Sequence, residues 1–240
     1  MVIEIAGVPA EVICRYAENE CFLRTYASDR TPVFTVAPRD GDLMRMQEDF
    51  DRMDEAEGVA KHRRSEAFLE NSAIHTLLAE RLTEYGVLLL HGSALCMDGE
   101  AYIFTAVSGT GKSTHARLWR EAFGNRVWMV NDDKPMLKIT AGGATVYGTP
   151  WDGKHHLSRN ASAPLKAIVM LRRDTTNHIE PLSKADAFPE LMRQSFRSQS
   201  APARSLALVR RLLDAAELYS LGCNMSPEAA RVAWEGMNNK

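Results

Sequence analysis

The eight residues Ala106-Val107-Ser108-Gly109-Thr110-Gly111-Lys112-Ser113 constrain this 240-residue chain more than any other stretch. They fit G-x-x-x-x-G-K-[ST] except that alanine stands at the first glycine position. An apolar run, Glu100–Ala106, leads into them, and Thr114–Phe123 follows with Ala116, Leu118, Trp119 and Ala122 at helical spacing. A strand, a glycine-rich bend and a helix in that order form a phosphate cradle. Gly109 and Gly111 let successive N–H groups turn inward, and the helix presents its positive end to the same anion. The sequence therefore predicts an α/β fold with nucleotide bound along Ala106, Val107, Ser108, Gly109, Thr110, Gly111, Lys112, Ser113 and Thr114. Lys112 is placed to reach the β and γ phosphates, and the Ser113 hydroxyl to hold Mg²⁺.

A second chemical feature follows closely. Val127–Val130 reads as a buried strand ending in Asn131-Asp132-Asp133, and 18 residues separate Ser113 from Asp132. That gap holds one helix and one strand, so the two acids can face the loop across the carboxyl edge of a sheet. One carboxylate suits Mg²⁺, and the other suits the proton of an attacking hydroxyl. No Asn-Lys-x-Asp guanine signature occurs, which leaves ATP as the default nucleotide.

The remaining pattern is that of a mixed sheet. Gly86–His91 is a short apolar strand, and Ser93–Met97 and Glu100–Ala106 form a hairpin around Asp98-Gly99. Met136–Thr140 and Ala144–Tyr147 form another around Gly142-Gly143, and Leu165–Leu171 is a further buried strand. Helices are expected over Arg64–Tyr85 (with Phe68 on its apolar stripe), after a Ser183/Asp186 capping box, over Ala203–Glu217, and after Ser226-Pro227. A strand is expected at Leu218–Leu221. Residues 1–36 alternate in a manner that suggests a strand meander, and Asp40–Lys61 reads as a linker with a loose helix. The expected organisation is a small β-rich N-terminal portion over residues 1–62 and a kinase-like domain over residues 63–240.

Composition removes several classes. A net charge of −2 argues against a general nucleic-acid binder. No apolar run has the length of a membrane span, and Met1-Val2-Ile3-Glu4 opens without a signal core, so a cytoplasmic protein is expected. Cys14, Cys21, Cys96 and Cys223 show neither zinc spacing nor a disulfide framework. The adjacent His155 and His156 lack a third ligand at metal spacing.

Taken together, Leu90-His91-Gly92, Ser108-Gly109-Thr110-Gly111-Lys112-Ser113 and Asn131-Asp132-Asp133 resemble the catalytic domain of the HPr serine kinase/phosphorylase family. That family shares its core with ATP-dependent phosphoenolpyruvate carboxykinases. The resemblance covers His91–Leu171, with an extension over Tyr219–Met237. It implies a phosphate-loop mixed sheet with flanking helices, ATP and Mg²⁺ as cofactors, and a hydroxyl acceptor on a protein, peptide or metabolite. By position it implies His91, Lys112 and Asp132 as catalytic residues, Asp132 being the base. It also implies Ser113 and Asp133 at the metal.

The chain departs from the family in carrying Thr114 at a usual glutamate. It also lacks the Glu-Ile-Arg-Gly segment and any glutamate between Met136 and Ile179. Asp152 is the local substitute for the missing metal carboxylate. These departures mark a divergent relative with another acceptor. An unrelated small-molecule kinase and a non-catalytic nucleotide sensor are the alternatives, and a homo-oligomer is left open. Arg172 and Arg173, at the end of a buried strand, are further candidates for reaching phosphate.

Overall fold

The computed structural model describes residues 1–238, which fall into two compact units, Met1–Leu82 and the described residues from Thr83 onward. In the first unit, β1 (Val2–Ile5) and β2 (Val8–Val12) pair antiparallel across Ala6-Gly7. Both turn residues have positive φ, as a two-residue hairpin requires. β3 (Thr35–Val36) then joins β2 in parallel. The expected meander is corrected here, because a helix, α1 (Ala17–Leu23), interrupts it. Parallel pairing needs such a crossover, and a two-residue hairpin cannot supply it.

Asp40–Lys61 is also better ordered than expected. α2 (Asp40–Ala56) starts at Arg39, whose backbone N–H donates to Asp42 Oδ2 at 2.8 Å. α3 (Glu66–Leu82) packs Leu69 and Ala73 against Leu43, with Met46 and Phe50 alongside. Phe68, placed by its spacing on the apolar stripe, is instead 48% exposed and lies 5.2 Å from the Phe50 ring. Glu70 is fully buried and accepts from Arg15 N (2.7 Å), Tyr16 N (3.2 Å) and Asn19 Nδ2 (2.7 Å). These contacts place α3 with the N-terminal unit, whereas the sequence reading drew the boundary after residue 62.

The second unit is a mixed α/β layer structure. Its strands are β4 (Val87–Leu89), β5 (Ser93–Met97), β6 (Glu100–Thr105), β7 (Val127–Asn131), β8 (Met136–Thr140), β9 (Gly143–Tyr147), β10 (Ser162–Arg173), β11 (His178–Pro181) and β12 (Glu217–Cys223). The helices are α4 (Lys112–Phe123), α5 (Lys184–Gln194), α6 (Pro202–Ala215) and α7 (Glu228–Asn238). Nine strands join in one sheet whose path runs β4-β8-β9-β10-β6-β5-β7, with β12 on β10 and β11 on β12. β10 is the hub: it meets β9 antiparallel at its start, then β6 and β12 in parallel.

Alternation along the strands sorts their side chains between two cores. Ala101, Ile103, Ile168 and Met170 face Leu191, Leu208 and Leu212 of α5 and α6. Tyr102, Phe104, Val169 and Leu171 face Trp119 of α4 and Ala230 and Ala233 of α7. β5 runs antiparallel to both β6 and β7, so those two strands point the same way. β10 and β12 run with β6. The carboxyl ends of four strands therefore share one edge. That edge carries Ala106, Asp132, Arg173 and Asn224.

Candidate functional site

The loop after β6 has the shape that its glycines allow. Gly109 (φ 78°) and Gly111 (φ 122°) occupy backbone regions that strain any residue with a Cβ, and Gly111 opens directly into α4. Thr110 N donates to Val107 O (3.2 Å), and His115 N to Gly111 O (2.9 Å). Lys112 is buried, and its Nζ donates to Ala106 O at 3.0 Å. Burial pulls the Lys112 pKa below the ordinary lysine value, opposed by the nearby charges of Asp133 and Glu190. Alanine at position 106, where the motif has glycine, is buried at 3% exposure. From β10, Arg173 Nη2 donates to Gly109 O (2.5 Å) and Nε to Thr110 O (3.5 Å). Arg173 thus touches the backbone of the bend itself.

Asp132 and Asp133 follow β7 with different surroundings. Asp132 is buried, which raises its pKa. Gly153 N, donating to Oδ1 at 2.5 Å, works the other way, and the charges of Asp152 and Asp133 add to the rise. For Asp133, burial also pushes upward, but hydrogen bonds and charge from His91 and Lys134 outweigh it and hold the carboxyl well below the usual range. His91 Nε2 lies 3.3 Å from Asp133 Oδ1, and Lys134 Nζ donates to Oδ2 at 2.9 Å. The main chain of His91 is held at both ends: its N–H donates to Gln194 O (2.8 Å), and its carbonyl accepts from Thr105 Oγ1 (2.8 Å). Gly92 packs closely next to it: a Cβ there would approach Ile103 Cγ2 and Phe104 O to 3.0 Å, so those neighbours would have to give way.

The structure brings Ser113 and Asp132 onto one cleft of ≈ 410 Å³, with Thr114, Arg117, Arg120, Lys154 and His155. His91, Asp133 and Lys112 form an adjoining electrostatic group. Asp152 does not join it. Its Oδ1 lies 3.0 Å from His156 Nδ1, and its Oδ2 accepts from Ser158 N at 3.3 Å. Arg193 pairs with Glu190, and Arg197 Nε reaches Met192 O at 3.4 Å. Among the described residues no cluster of three or more His, Cys, Asp or Glu side chains converges as a metal cage. The four cysteines are free thiols, and no described helix is long and apolar enough to cross a membrane.

Asn131, quoted from the sequence only as part of the acidic motif, and Gln194 and Glu190, not singled out there, contribute as well. Asn131 is fully buried and bonds in two directions. Its Oδ1 accepts from Asp133 N (2.9 Å) and Lys134 N (2.7 Å), and its Nδ2 donates to Thr149 O (3.2 Å), Thr149 Oγ1 (3.0 Å) and Trp151 O (3.2 Å). It therefore shapes the acidic turn and the 149–153 loop together. Gln194 Oε1 lies 2.9 Å from His91 Nδ1, and Gln194 Nε2 donates to Glu190 Oε1 at 3.2 Å. Glu190 thereby connects, through Gln194 and His91, to Asp133. The i, i+4 spacing of Glu190 and Gln194 was legible, but nothing local pointed them toward His91.

A parallel-stranded edge, a glycine bend opening into a helix and two acids on a neighbouring strand define an α/β protein with a phosphate-loop architecture. The chain belongs to the family described as SynChlorMet cassette protein ScmC, whose model matches residues 60–211. No curated protein matches the sequence. Among solved structures it is similar to the Hpr(Ser) kinase/phosphatase from Coxiella burnetii, with 14% identity and a TM-score of 0.28. That match covers 51% of this chain and 93% of the other. A likeness so slight has no bearing on the reaction.

Proposed function

We propose that the chain is an ATP-dependent phosphotransferase that moves the γ-phosphoryl group to a hydroxyl acceptor. The carrying observation is that Ser113, opening the helix after the glycine bend, and Asp132, just past the end of a strand parallel to β6, line one cleft. Loop N–H groups and Lys112 would hold the phosphate chain. The second cleft beside the loop, ≈ 450 Å³ with Leu118, Leu171 and Met225 in its wall, has the apolar surface a nucleoside needs.

Asp132 would act as the base. In the transfer, the acceptor oxygen bonds to the γ phosphorus while the bond from phosphorus to the β–γ bridging oxygen breaks. The departing ADP keeps that electron pair, and the acceptor proton passes to Asp132. Its raised pKa makes it a better proton acceptor than an ordinary carboxylate. Asp133, held ionised by His91 and Lys134, and the Ser113 hydroxyl would offer oxygen ligands to a hard divalent cation that takes the others from phosphate and water. When bound, Mg²⁺ would offset charge on the phosphoryl oxygens. The cytoplasm is the compartment expected for such an activity.

A second reading, a nucleotide sensor without turnover, is favoured by one observation. Asp152, the local candidate for a second metal carboxylate, is engaged with His156 and Ser158. One experiment separates the two. The full chain is incubated with γ-labelled ATP, Mg²⁺ and lysate, alongside Asp132→Asn. Label transferred by the wild type and reduced at least about a hundredfold by the variant supports the kinase. Nucleotide binding without transfer by either protein supports the sensor.

A further inference from the structure

The cleft beside Asp132 is lined mainly by basic side chains on its charged side. Ser113, Arg117 and Arg120 stand at i, i+4 and i+7 on one face of α4, and Lys154 and His155 come from the loop that covers Asp132. Among the described residues Asp132 is the one carboxylate in the cleft wall. Arg117 is already occupied, with Nη1 donating to Glu121 Oε1 at 2.6 Å. Arg120 and Lys154 differ: neither has a carboxylate partner among the described residues, and Arg120 Nε is buried without a hydrogen-bond acceptor. Arg120 is half-buried in the cleft wall, and a carboxylate entering the cleft gives its guanidinium the charged partner that it lacks.

Distance indicates which anion. Seven helical residues place the backbone of Arg120 about 10 Å along the axis from that of Ser113, about two turns beyond the glycine bend. The nucleoside side of α4 is the opposite one, marked by His115 and Leu118. The anion that meets Arg120 therefore belongs to the acceptor and stands well away from its hydroxyl.

We propose that the cleft takes an acidic peptide. Its serine hydroxyl lies against Asp132, and a carboxylate about three extended residues away lies against Arg120 and Lys154. A small hydroxy acid is the competing acceptor, and the free-serine arm of the test below distinguishes it. This assignment rests on the phosphotransferase reading and specifies its acceptor; the bonds made and broken are those given above.

The test uses synthetic peptides with one serine and with glutamate, alanine or lysine placed about three residues to either side. Free serine is the small-molecule arm. Transfer of label from γ-labelled ATP is measured with the full chain and with Arg120→Gln and Lys154→Gln, while calorimetry follows nucleotide binding on the same preparations. The expected result is transfer to the glutamate peptide at least about fivefold faster than to the alanine peptide, and slower still with lysine. Each variant should shrink that preference. Lys154 is exposed, so its variant tests the charge without disturbing a buried group.

Equal rates on all three peptides, or a preference untouched by both substitutions, overturns the acidic-peptide assignment and leaves phosphotransfer standing. Label on free serine alone does the same. Nucleotide binding with no labelled product from any acceptor also overturns it. Absence of nucleotide binding removes the phosphotransferase reading and this assignment with it.

Discussion

His115 offers a prediction whose size can be worked from its surroundings. Its ring is buried under α4, 4.5 Å from Phe104, and Nε2 accepts from Trp119 Nε1 at 3.0 Å. The proton of the neutral ring therefore sits on Nδ1, which has no acceptor among the described residues. Burial depresses the pKa from 6.5 to about 3. Between those values the unfolded chain binds a proton that the folded chain does not. This contribution to stability is present in full above pH 6.5 and is lost as the pH falls toward 3. From pH 7 to pH 5 the loss amounts to about 2 kcal/mol.

The comparison is between wild type and His115→Gln, which keeps an acceptor near Trp119 but does not titrate. Urea unfolding is followed at several pH values by tryptophan fluorescence. Trp119, Trp128, Trp151 and Trp234 all lie in the second unit, so the signal reports that unit alone. Carboxylates titrate in both proteins and cancel in the difference. The wild type should lose about 2 kcal/mol more than the variant between pH 7 and pH 5. Parallel pH dependences would refute the burial of a neutral imidazole at this position.

Two further substitutions probe the turn around Asp132. In Gly153→Ala the new Cβ would lie 2.7 Å from Asp132 Oδ1. Asp132 should therefore be displaced, with the initial rate of label transfer falling about tenfold or more while nucleotide affinity in calorimetry stays within about twofold. Asn131→Ala removes the side-chain hydrogen bonds by which Asn131 braces both the acidic turn and the 149–153 loop, leaving Gly153 N to Asp132 Oδ1 and Thr149 Oγ1 to Lys134 O as the remaining links. It leaves buried groups unsatisfied, and urea unfolding should register a loss of about 2–4 kcal/mol.

What could be read from the sequence was whatever adjacent residues determine. Asp98-Gly99 predicted the β5–β6 hairpin, and both residues do adopt positive φ. The glycine bend followed by apolar helical spacing predicted α4, and the run before Asp132 predicted β7. The obscure parts depend on distant partners. β10 reads locally as a buried strand over Leu165–Leu171 but spans Ser162–Arg173, because β9 pairs with its first residues and β12 with its last. α1 lacks a side-chain cap, so nothing local announces its start. Within the candidate site, Lys112, Ser113, Asp132, Asp133 and His91 were legible as residue types in order. Gln194, which meets His91 from 103 positions away, was not. Its position is set by the backbone bonds that tie the end of α5 to β4, including Phe196 N to Leu89 O at 2.9 Å. Asp152 shows the converse: a carboxylate in a suggestive sequence context turned toward its own loop.

The account stands on the glycine bend and Lys112 holding a phosphate chain. Isothermal titration of Mg·ATP into the wild type and into Lys112→Ala measures this directly. Saturable binding to the wild type, weakened about tenfold to a hundredfold in the variant, is the predicted outcome, as expected for loss of a charged hydrogen bond. Absence of binding to the wild type, or equal affinity in the two proteins, would contradict it.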